Sequence, residues 1–261
     1  MLSRRLVSPP LVSAFLIATC ALAAAGEPRA VLELFTSQGC SSCPPADKLL
    51  GEFANDPSLV AVSVPIDYWD YLGWKDTLAS AAHSARQRAY ARVRGDRQVY
   101  TPQVVVNGSM HVLGSDRAAI ERTIAQTDQK PAVMSLPVLL SVGGSTLSVK
   151  VAAGEGEHAD AEVWLCPLTK TVAVAIGRGE NRGRTITYHN VVRRWLKLGD
   201  WTGSDASWTV PMSEITGEDI DAAAVLVQDG TRDKPGAVLG AAFTSLGQST
   251  SEDAGRSTQA K

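Results

Sequence analysis

Apolar residues crowd positions 29–36 and 59–66 with little alternation, the pattern of strands covered on both faces. Between them Ala46, Leu49, Leu50 and Phe53 recur at helical spacing. They predict a helix over 45–54, with Asp47 in the first turn where negative charge is favoured and Asn55-Asp56-Pro57 as its stop. A second helix is predicted over 77–94, with Leu78, Ala82, Ala85, Ala89 and Val93 on one face and Arg86, Arg88, Arg92 and Arg94 mostly on the solvent side. The run 103–106 reads as a strand that turns at Asn107-Gly108 into 110–113, because a two-residue hairpin turn needs positive φ at both central positions. Ser115 then caps a helix through about 126, with Ala119, Ile120, Thr123 and Ile124 able to face a sheet. This order implies a mixed sheet with helices packed on it.

From residue 131 onward the pattern changes. Strand-like runs recur at 133–142, 146–152, 161–168, 171–176, 185–196, 207–210, 221–228 and 237–243, separated by Gly-rich turns and without helical spacing between them. Regular short strands of this kind predict an antiparallel sandwich-like module. The expected division is a first domain over 27–130, a β-rich domain over 131–246 and a disordered tail over 247–261. Within the second part, Cys166 reads as a small core residue. Residues 177–184, with Arg178, Arg182 and Arg184, read as a solvated hairpin tip, and His189 receives no role.

Residues 1–25 are expected to be a secretory signal peptide, since Arg4 and Arg5 precede an apolar stretch that ends in small residues. That implies a periplasmic or secreted protein with no membrane span. Lipid attachment at Cys20 is the competing reading, and Thr19 is large for it. A chain of 261 residues with 44% hydrophobic residues is long enough for two domains, and a formal charge of −2 argues against nucleic acid as a partner. Oligomeric state does not follow from the sequence.

Once the leader is removed, Cys40, Cys43 and Cys166 remain, and an oxidising compartment permits the close pair to be a disulfide. Cys40 and Cys43, with two small residues between them at a strand-to-helix junction, have the arrangement a redox dithiol needs. Thr101-Pro102 stands at the entrance of a strand, where a proline reads as a bend or a cis peptide. Prolines at 44 and 45 disfavour helical geometry at Cys43, so Cys40 is expected to lie outside the positive helix end. Two other readings of the pair stand beside the redox one: an inert structural disulfide, and a soft metal site. The four histidines, 83, 111, 158 and 189, show no metal-ligand spacing around the cysteines.

The element order, with Cys-x-x-Cys opening the first helix and Thr-Pro before the third strand, resembles the thioredoxin fold. More narrowly, residues 33–47, 67–74 and 100–103 resemble the secreted, uncharacterised, thioredoxin-like DUF1223 family. The fold class expected is therefore an α/β thioredoxin-like N-terminal domain followed by an all-β, antiparallel sandwich-like C-terminal domain. The resemblance implies that Cys40 attacks, that Cys43 resolves, and that Thr101 and Pro102 present backbone to a substrate peptide. Trp69 and Trp74 are candidates for a substrate-binding lip, and Asp67 for proton transfer to Cys43. The expected activity is exchange with protein thiols or disulfides without a cofactor or metal. The alternative is a non-catalytic binding module, either a metal carrier or an adaptor with a structural disulfide.

Overall fold

The computed structural model describes residues 27–154, 161–217 and 219–247. The expected leader, Cys20 and residues 248–261 of the expected tail lie outside the described residues. In chain order the elements begin β1 (Ala30–Thr36), α1 (Pro44–Phe53), β2 (Leu59–Pro65), a 3-10 turn (Asp70–Leu72), α2 (Ala81–Arg94), β3 (Gln103–Val106), β4 (Met110–Leu113) and α3 (Arg117–Thr127). There follow β5 (Val138–Gly143), β6 (Thr146–Val151), β7 (Ala161–Ala175), β8 (Thr185–Val192), β9 (Leu196–Trp201), β10 (Ala206–Pro211), a short α4 (Met212–Ile215), β11 (Ala222–Thr231) and β12 (Lys234–Ser245).

These strands overturn the expected fold class. Instead of a thioredoxin-like α/β domain and a separate all-β domain, one mixed sheet runs β12-β11-β7-β8-β2-β1-β3-β4, with β9 also paired to β7. The junction is β2 with β8, which run parallel and pair at Ser63 and Val191. Asn190, at φ 46°, donates its side-chain amide to the Ala61 carbonyl at 2.9 Å beside that junction. A second, three-stranded sheet of order β10-β6-β5 packs against this one. Most of the expected strand runs of the second half are strands, but residues 133–137 are not, and the run 185–196 holds β8 and only the first residue of β9. Their periodicity carries no information on partners, and so could not show that they extend the first sheet.

The cores follow from strand alternation. Even-numbered β1 residues Ala30, Leu32 and Leu34 pack with Leu50 of α1 and Ile120 of α3 on one face. Odd-numbered Val31 and Phe35 lie on the other face, in a core that also holds Cys166, Leu168, Ala224, Leu226 and Val238. Residues from both sides of position 131 therefore share one core. Strand β11 divides the same way, sending Ala223, Val225 and Val227 into a third core against Leu147, Val149 and Val151 of the second sheet.

Local expectations fared unevenly. Asn107 and Gly108 turn β3 into β4 with φ of 48° and 67°. The buried Asn107 side chain accepts from Val31 N at 2.6 Å and donates to Thr127 Oγ1 at 2.9 Å, tying the turn to β1 and α3. Helix α2 starts at Ala81, behind the Ser80 cap, and its buried face is largely polar: His83, Ser84, Arg86 and Gln87 lie inside, while Val93 is 50% exposed. Helix α3 is capped by Asp116, which accepts from Ala119 N at 2.9 Å. The runs 161–168 and 171–176 form the single strand β7, which pairs with β11 and β9 over its first half and β8 over its second.

Candidate functional site

Strand β1 ends at Thr36, and the chain turns through residues 37–43 into α1. Cys40 and Cys43 are joined in a disulfide, with Cα atoms 5.4 Å apart. Cys43 is the N-cap of α1 and has helical φ and ψ of −78° and −34°, contrary to the expectation drawn from the two prolines. Prolines at the first two helical positions lack only N–H groups that would be orphans there. The Cys43 carbonyl accepts from Ala46 N at 2.8 Å and Asp47 N at 3.0 Å, which holds the cap in place. Cys40 sits one turn earlier, its carbonyl accepting from Cys43 N at 3.2 Å.

The disulfide is covered. Cys40 is 4% exposed and Cys43 is fully buried, while Ser41 and Ser42 between them are exposed. The loop 177–184 between β7 and β8 is bonded to the backbone of this turn. Its Asn181 is fully buried and donates its amide to the carbonyls of Gln38 at 3.0 Å and Cys40 at 2.8 Å. Trp74 braces the same loop: its indole N–H donates to Gln38 Oε1 at 2.8 Å, and a Cβ at Gly177 would come within 3.1 Å of its ring. The loop read as a solvated tip therefore presents its arginines outward and its asparagine to the cysteine turn.

Trp69 lies on another side of the turn. A Cβ at Gly39 would meet Trp69 Cβ at 3.1 Å, and the Trp69 indole N–H donates to Thr101 Oγ1 at 2.8 Å. The Thr101–Pro102 peptide is cis, and Pro102 is buried near Leu34 and Ala46, all three lying close to the position a Cβ at Gly114 would take. Trp69 thus connects the residue before Cys40 with the residue before Pro102. Tyr71, 76% exposed, stacks on Trp69 with ring centroids 6.2 Å apart. Asp67 is engaged on the α2 side, where Ser84 Oγ donates to its carboxylate at 2.5 Å.

The first carboxyl group after Cys43 is Asp47, one helical turn further along α1, a residue expected only as a helix-end charge. It is buried, accepts from Thr36 Oγ1 at 2.7 Å through Oδ1, and has no hydrogen-bond partner for Oδ2 among the described residues. Burial pushes its carboxyl from 3.8 up to about 8, with the Thr36 bond opposing and the charge of Asp76 adding to the rise. Asp76 is itself raised by burial, although it accepts from the backbone of Gln38 and Leu78, each at 2.8 Å. The buried Tyr188 hydroxyl has no partner among the described residues, and burial, then Asp47 and Asp76, raise its pKa. Asp47, Asp76 and Tyr188 are therefore electrostatically coupled behind the cysteine turn. Among the described residues no group of three or more His, Cys, Asp and Glu side chains is arranged to hold a metal.

Cys166 is free and buried in β7, where burial pushes its thiol up, as suits a core residue. Among the described residues no helix is long and apolar enough to cross a membrane.

A family model described as "Protein of unknown function (DUF1223)" matches residues 31–228. The crystal structure of an Agrobacterium tumefaciens protein, a structural genomics target, is 33% identical and superimposes with a TM-score of 0.76, covering 86% of this chain and 96% of that one. The chicken interferon gamma receptor alpha chain matches at 10% identity over 55% of this chain and 58% of that one, with a TM-score of 0.26 that carries no argument. No curated protein matches.

Proposed function

We propose, for a chain that belongs to the DUF1223 family of proteins of unknown function, that Cys40 and Cys43 exchange disulfides with protein thiols in an exported setting. The observation that carries this reading is the Asp47 carboxyl, buried one helical turn beyond Cys43 with one oxygen unpartnered among the described residues, where burial pushes its pKa up to about 8. A carboxyl in that state can donate a proton to a leaving thiolate and take one back, which a purely structural disulfide does not need. What the proposal keeps of the likeness to thioredoxin-like proteins is local: strand, cysteine turn, helix, and Thr101–Pro102 held to the turn through Trp69.

In the exchange a substrate thiolate attacks Cys40 Sγ, the Cys40–Cys43 bond breaks, and a mixed disulfide forms on Cys40. Cys43 leaves with the electron pair and takes the proton from Asp47. A second substrate thiolate then attacks the substrate sulfur of the mixed disulfide, forming the substrate's own disulfide and releasing Cys40 as thiolate. The protein ends reduced and the substrate oxidised, and the same groups run the reverse reaction. The half-buried Trp69 and the exposed Tyr71 form an aromatic ledge for an extended substrate segment, with Thr101 at its inner end. Proton transfer is assigned to Asp47 rather than Asp67, whose Oδ1 accepts from Ser84 on the α2 side.

A Cys43→Ser variant produced with its full leader in a bacterial host tests the reading. It is expected to accumulate mixed disulfides on Cys40 that dithiothreitol releases and that Cys40→Ser does not form. Absence of such adducts, together with no exchange between wild-type protein and glutathione, would end the proposal. One observation favours a second reading: Cys40 is 4% exposed and latched by Asn181, as a disulfide that merely anchors the loop would be. Under that reading Cys40→Ser and Cys43→Ser lose stability equally, and neither traps a partner.

A further inference from the structure

On the α2 side, between that helix, β7 and the β11–β12 turn, lies a cavity of about 280 Å3. Its apolar walls are Trp164 and Trp195, whose rings meet edge to face with centroids 6.5 Å apart at 79°. Arg88 and Arg92 of α2 and Arg232 of the turn line it, opposed by the single carboxylate of Asp233. None of these three arginines has an ion-pair partner among the described residues. Arg86, also in the lining, is already bonded to Glu33 and stacks on Trp195 at 4.0 Å, so it stiffens the wall.

Three guanidinium groups without an ion-pair partner, Arg88 also lying over the Tyr68 ring at 5.8 Å, give a net positive potential around a concave aromatic wall. Their planar forks fit carboxylate oxygens, and the indoles fit a flat apolar body. We propose that this cavity binds a small organic anion: a carboxylate carried on an aromatic or similarly flat apolar body. The volume suits a molecule of one or two rings. A cation would meet repulsion, and an inorganic ion would leave the indole walls without a partner. The proposal does not depend on the chemistry of the cysteine pair.

The probe is 2-naphthoate, titrated calorimetrically into the full chain, with 2-naphthamide as its neutral counterpart. Saturable binding of one equivalent is expected with Kd below about 1 mM and at least about tenfold tighter than the amide. The Arg88→Ala/Arg92→Ala/Arg232→Ala variant, altered only at exposed positions, is expected to lose about tenfold or more in naphthoate affinity and little for the amide. Equal affinity for acid and amide, unchanged affinity in the folded variant, or no saturable binding would each overturn the site. If the variant does not fold, indole N–H resonances assigned by Trp164→Phe and Trp195→Phe decide instead: naphthoate must shift those two, and shifts confined to other tryptophans refute the assignment.

Discussion

At Asp47 two effects of opposite sign meet on one carboxyl. A helix N-terminus favours the ionised form by a few tenths of a kcal/mol to about 1, whereas full burial with one oxygen unpartnered disfavours it far more. The folded pKa of about 8 lies above the ordinary 3.8. Between those values the unfolded chain has released a proton that the folded chain keeps. Stability is thus greatest below the lower value and falls as pH rises through the window, by about 1.4 kcal/mol per pH unit from this group. Asp47→Asn is expected to remove that slope, raising the thermal midpoint near pH 8 with little change near pH 4; parallel pH profiles in the two proteins would contradict it. Glu33 is a second buried carboxyl, and both of its oxygens have partners. Both its oxygens accept from the Arg86 fork, at 2.5 and 3.0 Å, and Tyr90 donates to it at 2.5 Å in the core. Glu33→Gln leaves the guanidinium buried with neutral partners alone and is expected to cost about 3–5 kcal/mol, measured by urea unfolding. Neither residue's surroundings were legible locally. Glu33 looked like one polar position in an apolar strand, and Arg86 like part of a solvated face, because a pair 53 residues apart leaves no trace in periodicity.

The strand-to-helix placement of the cysteine pair, the Thr101–Pro102 step and the Asn107-Gly108 hairpin were readable in sequence because each rests on chemistry within a few residues, whereas the helical geometry at Cys43 was not. Helix α2 was harder. Its inner face is held by hydrogen bonds, with Gln87 donating to the Tyr100 carbonyl at 2.8 Å and to Gln103 Oε1 at 2.9 Å, so an apolar stripe was the wrong signal to seek. The loop 177–184 was misread for a related reason: one asparagine among glycines and arginines becomes a latch only when β8 brings it over Cys40. That latch consists of two amide-to-carbonyl bonds, each worth about 1 kcal/mol net. If the loop must lift before a thiolate reaches Cys40, Asn181→Ala should speed reduction of the disulfide by dithiothreitol roughly ten- to thirtyfold. An unchanged rate, with the fold intact by circular dichroism, would mean that the loop does not gate the sulfur.

One sheet spanning both halves of the chain has a consequence for how the molecule holds together. The core on the α2 side joins Val31, Val62, Tyr90 and Val105 to Leu168, Val192, Leu226 and Val238, so neither half can close it alone. Gln228 of β11 reinforces the join, donating to Tyr90 and accepting from Arg86 within the buried Glu33 network. A fragment of residues 27–130 would keep α1 and α3 on one face of the first strands and leave Val62, Val64 and Val105 open on the other. It would also strip the β2 edge of β8 and leave Glu33 and Arg86 without Gln228, exposing an apolar strand edge of the kind that aggregates. That fragment is expected to show no cooperative thermal transition, whereas residues 27–247 melt in a single one by both calorimetry and circular dichroism. Two resolved transitions in the longer protein, or a cooperatively folded fragment, would mean that the β2–β8 junction joins two self-sufficient units rather than completing one.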